Sequence, residues 1–400
     1  MSPAQSPSPA VGATVRRAAA GVLVVVSPVG EPGEAVPGRR IVGGLPLLRR
    51  IVLAATAAGY DRILVAHADH DAAELLEGTS AIALLPGVAA APSPHPARVV
   101  ILPANVVPQA AWLRALMEMP AAAGTLYVDS SLTLVVETEK PAGILAAAAR
   151  CESAGALVAE LRRTFAEDAW LLDPDGRFPL VTSRDVDGAE TWLLRSLIKQ
   201  REGFMSRHVE RRISLAVTRR LAAGPITPNA MTILSAAIGL ASAPFFLSAS
   251  PVWQLTGALL LLTHSILDGC DGELARLKFM QSPRGAMLDY WGDNLVHVAV
   301  FTCIAIGWSL AVGAAWPLIA GAVSVAATLG SAALMFERTA HDRAPIDGVI
   351  DALASRDFVY ILLVLSAFGK APWFLAVTAV GTPIFLLFAL WLDGRRGRVR

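Results

Sequence analysis

DGCDGELARLKFMQSPRGAMLDYWGD, residues 268–293, decides how the rest of this chain is read. It sets Asp268, Asp271, Asp289 and Asp293 between two strongly apolar segments. Carboxylates beside hydrocarbon are costly and persist there mainly when paired, so the default reading is a functional site with a divalent cation as natural partner. If each flanking segment is helical, Asp268 and Asp271 stand at i,i+3 and Asp289 and Asp293 at i,i+4, so each pair leaves one face of its helix. Two such helices facing each other would offer four hard oxygen ligands, the chemistry that suits magnesium or manganese with a phosphate-bearing substrate. Gly272 and Gly285 leave room for a ligand to approach the backbone. Ala275 keeps the same wall low, and Arg276 can pair with phosphate.

With their spacing these residues read D-x2-D-G-x2-A-R-x8-G-x3-D-x3-D. The pattern resembles, without a mismatch, the signature of the CDP-alcohol phosphotransferase family. The resemblance implies an integral membrane enzyme that moves a phosphoalcohol from a CDP-linked donor to an acceptor hydroxyl and releases CMP. It implies that Asp268, Asp271, Asp289 and Asp293 hold two ions, Mg2+ or Mn2+, with Asp293 also the general base. Gly272, Ala275, Arg276 and Gly285, with Asp268, Asp271 and Asp289, would line the cytidine diphosphate site. Aspartates also cap helices or sit in solvated loops, and intramembrane carboxylates also serve ion transporters; neither reading accounts for the glycines or the Ala-Arg pair.

Composition supports a membrane protein independently. The chain has 400 residues, 54% hydrophobic yet 17% charged, so its apolar material must be concentrated somewhere. It lies mostly after residue 230. A formal net charge of +1, with no basic stripe among aromatics, gives no indication of a nucleic-acid partner. Cys151, Cys270 and Cys303 are too scattered for a disulfide framework or a zinc site.

Residues 1–15, rich in Ser, Pro and Ala, read as a disordered tail. Arg16, Arg17 and the apolar run 18–26 resemble a signal peptide in outline, but the run is short and no small-residue cleavage site follows, so a buried strand and a cytoplasmic N-terminus are expected. Between 16 and 190, the runs GVLVVV, RILVA, AIALL, RVVIL and TLYVDSS read as strands. Residues 46–58, 71–77 and 110–119 read as helices. The alternation predicts an α/β domain with a largely parallel, Rossmann-like sheet. From Gly38, GRRIVGGLPLLRRIVLAATAAGYDRILVA resembles the early part of sugar-phosphate nucleotidyltransferases. The loop 27–38, however, is stiffened by Pro28, Pro32 and Pro37 where that family has a flexible glycine-rich cradle. After the strand RVVIL, Asn105 stands where a metal-binding aspartate would be, so the domain is read as keeping the fold and losing the reaction. Asp69, Asp71 and Asp129 are the acids to test for residual chemistry, and His67 and His70 mark a polar strand end.

Residues 191–229 form a linker with Arg207, Arg211, Arg212, Arg219 and Arg220 at helical intervals, an amphipathic pattern suited to an anionic membrane surface; a solvated basic helix is the alternative. The run 199–207, the step 211–214 and Ile226-Thr227-Pro228-Asn229 resemble the bifunctional inositol-phosphate cytidylyltransferase/di-myo-inositol-phosphate-phosphate synthase group. By that likeness Pro228, Asn229 and Thr232 help hold the cytidine nucleotide. Within 230–392, six apolar spans are expected, at about 230–249, 252–270, 286–311, 315–336, 357–369 and 372–392. The whole is therefore a nucleotidyltransferase-like α/β domain joined to an all-α six-helix transmembrane domain, with a basic tail at 393–400.

Loops on one side hold only Lys370, while Arg276, Lys278, Arg284, Arg338, Arg343, Arg356 and the C-terminal arginines lie on the other. The positive-inside rule then places both termini and the aspartate motif at the cytoplasmic face of a multi-pass protein of the cell inner (plasma) membrane. Arg338, Arg343 and Arg356 are candidates to dock an acceptor phosphate, unless they only set topology. The donor is open between a soluble CDP-headgroup such as CDP-inositol and CDP-diacylglycerol, and the acceptor between an inositol phosphate or glycerol phosphate and a lipid hydroxyl. The family likeness also implies a homodimer. A bifunctional enzyme that makes its own CDP-alcohol, and a non-catalytic or ion-transporting protein, are the alternatives.

Overall fold

The computed structural model of the chain describes residues 20–27, 36–66, 70–85, 96–170, 172, 174–198, 210–340 and 358–396, with the backbone alone at 70–71, 174, 338–340 and 393–396. The expectations for the tail 1–15, for the proline-stiffened residues 28–35, for His67, Asp69, the run 199–207, Arg343, Arg356 and residues 397–400 lie outside the described residues. Two compact units are present, Met1–Val42 with Pro46–Ala189, and Gly43–Leu45 with Glu190–Arg400.

The first unit is built on a seven-stranded sheet. Its strands are β1 (Ala20–Val26), β2 (Arg62–Ala66), β3 (Ala81–Leu84), β4 (Ala97–Pro103), β6 (Thr125–Val128), β7 (Leu134–Thr138) and β8 (Ala166–Asp168), with β5 (Val106–Pro108) and β9 (Arg177–Pro179) paired in a small antiparallel sheet. The spatial order is β8-β6-β7-β4-β1-β2-β3. β1 and, apart from Arg98, β4 are apolar runs buried along almost their whole length, as strands covered on both faces require. On one face α4 (Pro141–Arg150) and α5 (Ala154–Leu161) bring Ile144, Leu145, Leu157 and Leu161 onto Val22, Val24, Leu64 and Ile101. Helices also form at α1 (Leu47–Ala58), α2 (His70–Leu75) and α3 (Ala110–Glu118), and α6 (Asp185–Ser196) ends the α/β region.

The expected strands form, but the sheet is mixed: β7 runs antiparallel to both β4 and β6. The cause is local. The strand expected over TLYVDSS stops at Val128, because Asp129 turns the chain. Its Oδ1 accepts hydrogen bonds from Ser131 N at 2.7 Å and Thr133 N at 2.9 Å, and Leu132 takes a positive φ of 61°. The segment Leu134–Thr138 then returns beside the strand it left.

Two residues weighed for nucleotide chemistry are committed to the fold. Asn105 donates through Nδ2 to Leu180 O at 2.8 Å while its carbonyl accepts from Leu180 N at 2.8 Å, a closed clasp. The Asp129 carboxylate is 1% exposed and forms an ion pair with Arg177, itself 5% exposed. Arg177 also donates to Ser130 and Ser131 hydroxyls and lies 5.6 Å from the Trp112 ring. Asp129 thus staples the turn to Arg177.

The second unit is helical: α7 (Arg211–Ala222), α8 (Pro228–Ser242) with a 3-10 turn (Ala243–Leu247), α9 (Pro251–Leu277), α10 (Pro283–Val312), α11 (Trp316–Ala340), α12 (Phe358–Ala367) and α13 (Ala371–Arg396). By length and apolarity, four stretches suffice to cross a membrane: Pro228–Leu247, Pro283–Val312, Trp316–Glu337 and Ala371–Leu392. The six expected spans thus correspond to six helices, of which α9 and α12 fall short for different reasons. α9 has 27 residues, about 40 Å of helix, but carries Gln254, His264 and the charges of the motif. α12 has 10 residues in its described part. Phe246, Leu261, Phe301, Ile304, Leu362 and Phe374 form the core of this unit.

Removing one partner of a buried ion pair leaves an uncompensated charge, which costs about 3–5 kcal/mol. Asp129→Ala is therefore expected to lower the stability of the α/β unit by that order, read as a lower midpoint in denaturant unfolding; unchanged stability would return Asp129 to the list of chemical candidates.

Candidate metal and nucleotide centre

The motif occupies the last turns of α9 and the first turns of α10, joined by a tight connection. Ala275 O accepts Met280 N at 2.8 Å to close α9, and Phe279 adopts a positive φ of 56°. Ser282 caps α10 by accepting Gly285 N at 3.0 Å, with Pro283 next. Thr227 and Pro228 start α8 in the same way, Thr227 accepting Ala230 N at 3.3 Å.

α8 meets this pair through a stripe of small and polar residues, Thr232, Ser235, Gly239 and Ser242, all buried. The stripe allows close approach. A Cβ on Gly239 would lie 2.7 Å from a Val296 methyl carbon and 2.9 Å from His264 Cγ, so no larger residue fits without a shift. A Cβ on Gly285 would come 2.9 Å from Asn229 Oδ1, which places the starts of α8 and α10 side by side.

All four aspartates converge. Asp268 and Asp271 are each 4% exposed, and Asp289 and Asp293 are partly buried. Two groups of ligand atoms each lie within 4.8 Å of one another: Asp268, Asp271 and Asp289 in one, and His264, Asp268 and Asp293 in the other. Asp268 belongs to both. Asp289 Oδ1 is buried with no hydrogen-bond partner among the described residues. Like charges packed so closely repel, and hard oxygen donors with an unsatisfied buried atom suit a divalent cation of the magnesium or manganese type. The residues present fit such an ion.

Thr232 Oγ1 donates to Asp271 Oδ2 and lies 3.2 Å from Pro228 O, tying α8 to the motif helix. Gly272 faces Arg276, since a Cβ there would be 3.3 Å from Arg276 Nη1. Of the residues assigned to cytidine, Pro228, Asn229 and Thr232 stand on the first turns of α8, Gly272, Ala275 and Arg276 at the end of α9, and Gly285 at the start of α10. Of the acceptor candidates, Arg338 is described only in its backbone at the end of α11, and Arg343 and Arg356 lie outside the described residues.

Two features were missed in the sequence. His264, one turn before Asp268, is 3% exposed and places Nε2 at 3.1 Å from Asp293 Oδ1 and Nδ1 at 2.9 Å from Ser235 O. The i,i+4 spacing from Asp268 was its only signal. Glu273, inside the motif, is fully buried. It accepts from Arg211 Nη1 at 2.5 Å, Ser214 Oγ at 2.7 Å and Thr218 Oγ1 at 2.6 Å. That network adds a contact to the expectation for α7: Ser214 and Thr218 on its buried side grip the motif helix, while Arg212, Ile213, Arg219 and Arg220 are exposed. At the C-terminal end of α9, Lys278 Nζ donates to Gly224 O at 2.8 Å, and burial holds its ammonium below the usual lysine range.

Residues 225–391 match the family model described as CDP-alcohol phosphatidyltransferase. A protein of Rubrobacter xylanophilus named bifunctional IPC transferase and DIPP synthase is 35% identical over 151 residues, 37% of this chain and 34% of that protein. One of the same name from Thermococcus kodakarensis is 38% identical over 125 residues, 31% of this chain and 28% of that protein. The matches thus span about a third of the length of these relatives. A crystal structure of Mycobacterium tuberculosis phosphatidylinositol phosphate synthase with CDP-DAG bound aligns over 45% of this chain and 92% of its own, at 20% identity and a TM-score of 0.38. The motif thus lies inside the segment, 225–391, that is similar to the CDP-alcohol phosphatidyltransferase family.

Proposed function

We propose that the protein is a divalent-metal-dependent membrane CDP-alcohol phosphotransferase that transfers a phosphoalcohol from a CDP-linked donor to an acceptor hydroxyl and releases CMP. The observation that carries this reading is the pair of overlapping ligand groups at Asp268, Asp271, Asp289 and Asp293, set in the segment that matches the family.

Asp268, Asp271, Asp289 and Asp293 would hold the metal. A divalent cation bound there supplies charge neutralisation of the donor pyrophosphate and of the departing CMP phosphate. Arg276 pairs with a donor phosphate across the low wall left by Gly272 and Ala275. Asn229 and Thr232 border the same space at the start of α8 and orient the cytidine. Asp293 takes the proton of the acceptor hydroxyl as its oxygen bonds to the β-phosphorus of the donor, and the bond from that phosphorus to the CMP oxygen breaks. The reaction face is cytoplasmic, as the basic loops require. Arg338, Arg343 and Arg356 are retained as the acceptor-phosphate candidates.

The names of the relatives favour a soluble CDP-headgroup donor, with CDP-diacylglycerol as the second choice. The α/β unit supports a scaffold role, because Asn105 and Asp129 are spent on structural contacts. One observation favours a second, bifunctional reading: the strand order reverses beside β1, between β1 and β4, where open α/β sheets bind ligands at the carboxyl ends of their strands.

Purified protein with magnesium is expected to release CMP from one donor and acceptor pair among CDP-inositol and CDP-diacylglycerol with inositol phosphate, glycerol phosphate and lipid alcohols, and a chelator should abolish the release. Asp293→Ala should lower turnover by about 10²–10⁴-fold, the contribution of a general base, while labelled CDP-alcohol still binds. Wild-type turnover in that variant would remove the base assignment, and failure of labelled CDP-alcohol to bind the wild type would remove the family reaction altogether. With CTP and a sugar phosphate, the full chain is expected to release no pyrophosphate; release would establish the bifunctional reading.

A further inference from the structure

The mechanism above uses the four aspartates of the motif but leaves a buried imidazole beside one of them without a role. We infer that His264 is a positioning residue for Asp293, holding the carboxylate that receives the acceptor proton in one orientation. The inference rests on the functional reading just given.

Three contacts fix the ring. Nδ1 lies 2.9 Å from the Ser235 carbonyl, so the ring plane is set by α8. Nε2 points across to α10 and meets Asp293 Oδ1 at 3.1 Å. A carbonyl and a carboxylate both only accept, so the ring holds both as an imidazolium with a hydrogen on each nitrogen. Gly239 supports the ring from the side, since a Cβ there would stand 2.9 Å from Cγ and collide with Val296. The ring is 3% exposed, so water does not compete for these contacts. A side chain clamped by one helix and touching the functional group of another is the arrangement that orients ligands and bases in metal sites.

Asp293 stands in a more open place than Asp268 and Asp271. Asp271 is anchored by Thr232, and Asp268 and Asp271 are almost wholly enclosed between helices. The Asp293 side chain is 23% exposed and sits a full turn further along α10 than Asp289. A small cleft lined by Leu261, His264, Ser265, Asp293, His297 and Phe358 adjoins it. His264 fills the role that keeps it turned toward the shared acid group.

The test compares His264→Ala with His264→Gln and His264→Asn. Gln places an amide nitrogen near the position of Nε2, whereas Asn reaches only as far as Nδ1. His264→Ala and His264→Asn are expected to lose about 10–100-fold in kcat, with the KM for the CDP-linked donor little changed, and His264→Gln should recover most of the loss. Binding of Mn2+ to each variant, followed by its paramagnetic resonance, should keep the wild-type stoichiometry. Equal turnover in all four proteins would overturn the inference, and so would loss of one bound Mn2+ in His264→Ala, which would make the imidazole a ligand. A further readout needs no activity: in protein with isotope-labelled histidine, the Nε2 resonance of His264 should move in Asp293→Asn. An unmoved resonance overturns the contact itself, while a moved resonance in a wild type that releases no CMP fails the functional reading and leaves the pair standing.

Discussion

Collecting carboxylates between helices of a membrane segment is the constraint on which the second unit depends. Each acid repels the others and loses hydration, and the cost is offset only by a cation, by donors on neighbouring helices, or by both. The helices are arranged accordingly. α8 brings Thr232 to Asp271 and, through Ser235, orients the imidazole that meets Asp293. α7 surrounds the one acid that faces away, Glu273, with an arginine and two hydroxyls. The acids that remain, Asp268, Asp271, Asp289 and Asp293, face a common space.

That division of labour explains why a single stretch carries two kinds of carboxylate. Glu273 and Asp271 are two positions apart and leave opposite sides of α9. One is satisfied entirely by protein donors and serves to dock the juxtamembrane helix; the other belongs to the group that invites a metal. The small stripe on α8 is the precondition for both, because Gly239 and Ser235 let α8 approach α9 closely enough for side chains as short as threonine and serine to reach across.

The α/β unit offers the contrasting case of polar residues withdrawn from chemistry. Asp129 shapes the turn that reverses the chain into β7, and its second oxygen holds Arg177. Asn105 clasps Leu180. Buried polar groups of this kind must be satisfied, and here the fold itself satisfies them. Asp129 and Asn105, committed internally in this way, agree with the scaffold role that the proposed function gives the unit.

The sequence by itself determined the motif and its paired carboxylate faces, because Asp268 and Asp271, and Asp289 and Asp293, recur at helical spacing between apolar runs, and helical periodicity is a local property of the chain. It also determined the strands at 21–26, 62–66, 81–84 and 98–102, from their short apolar runs, of which 81–84 lies at the sheet edge and is partly exposed. The antiparallel return at Leu134–Thr138 was hidden because one turn at Asp129 controls it, and the polar inner face of α7 was hidden because its partner, Glu273, lies some sixty residues away. Only the tertiary structure decided which acids meet and which are neutralised by neighbours, and it alone set His264 against Asp293. Those contacts join α8, α9 and α10 across long stretches of chain, and their distances are set by how closely small residues let the helices pack.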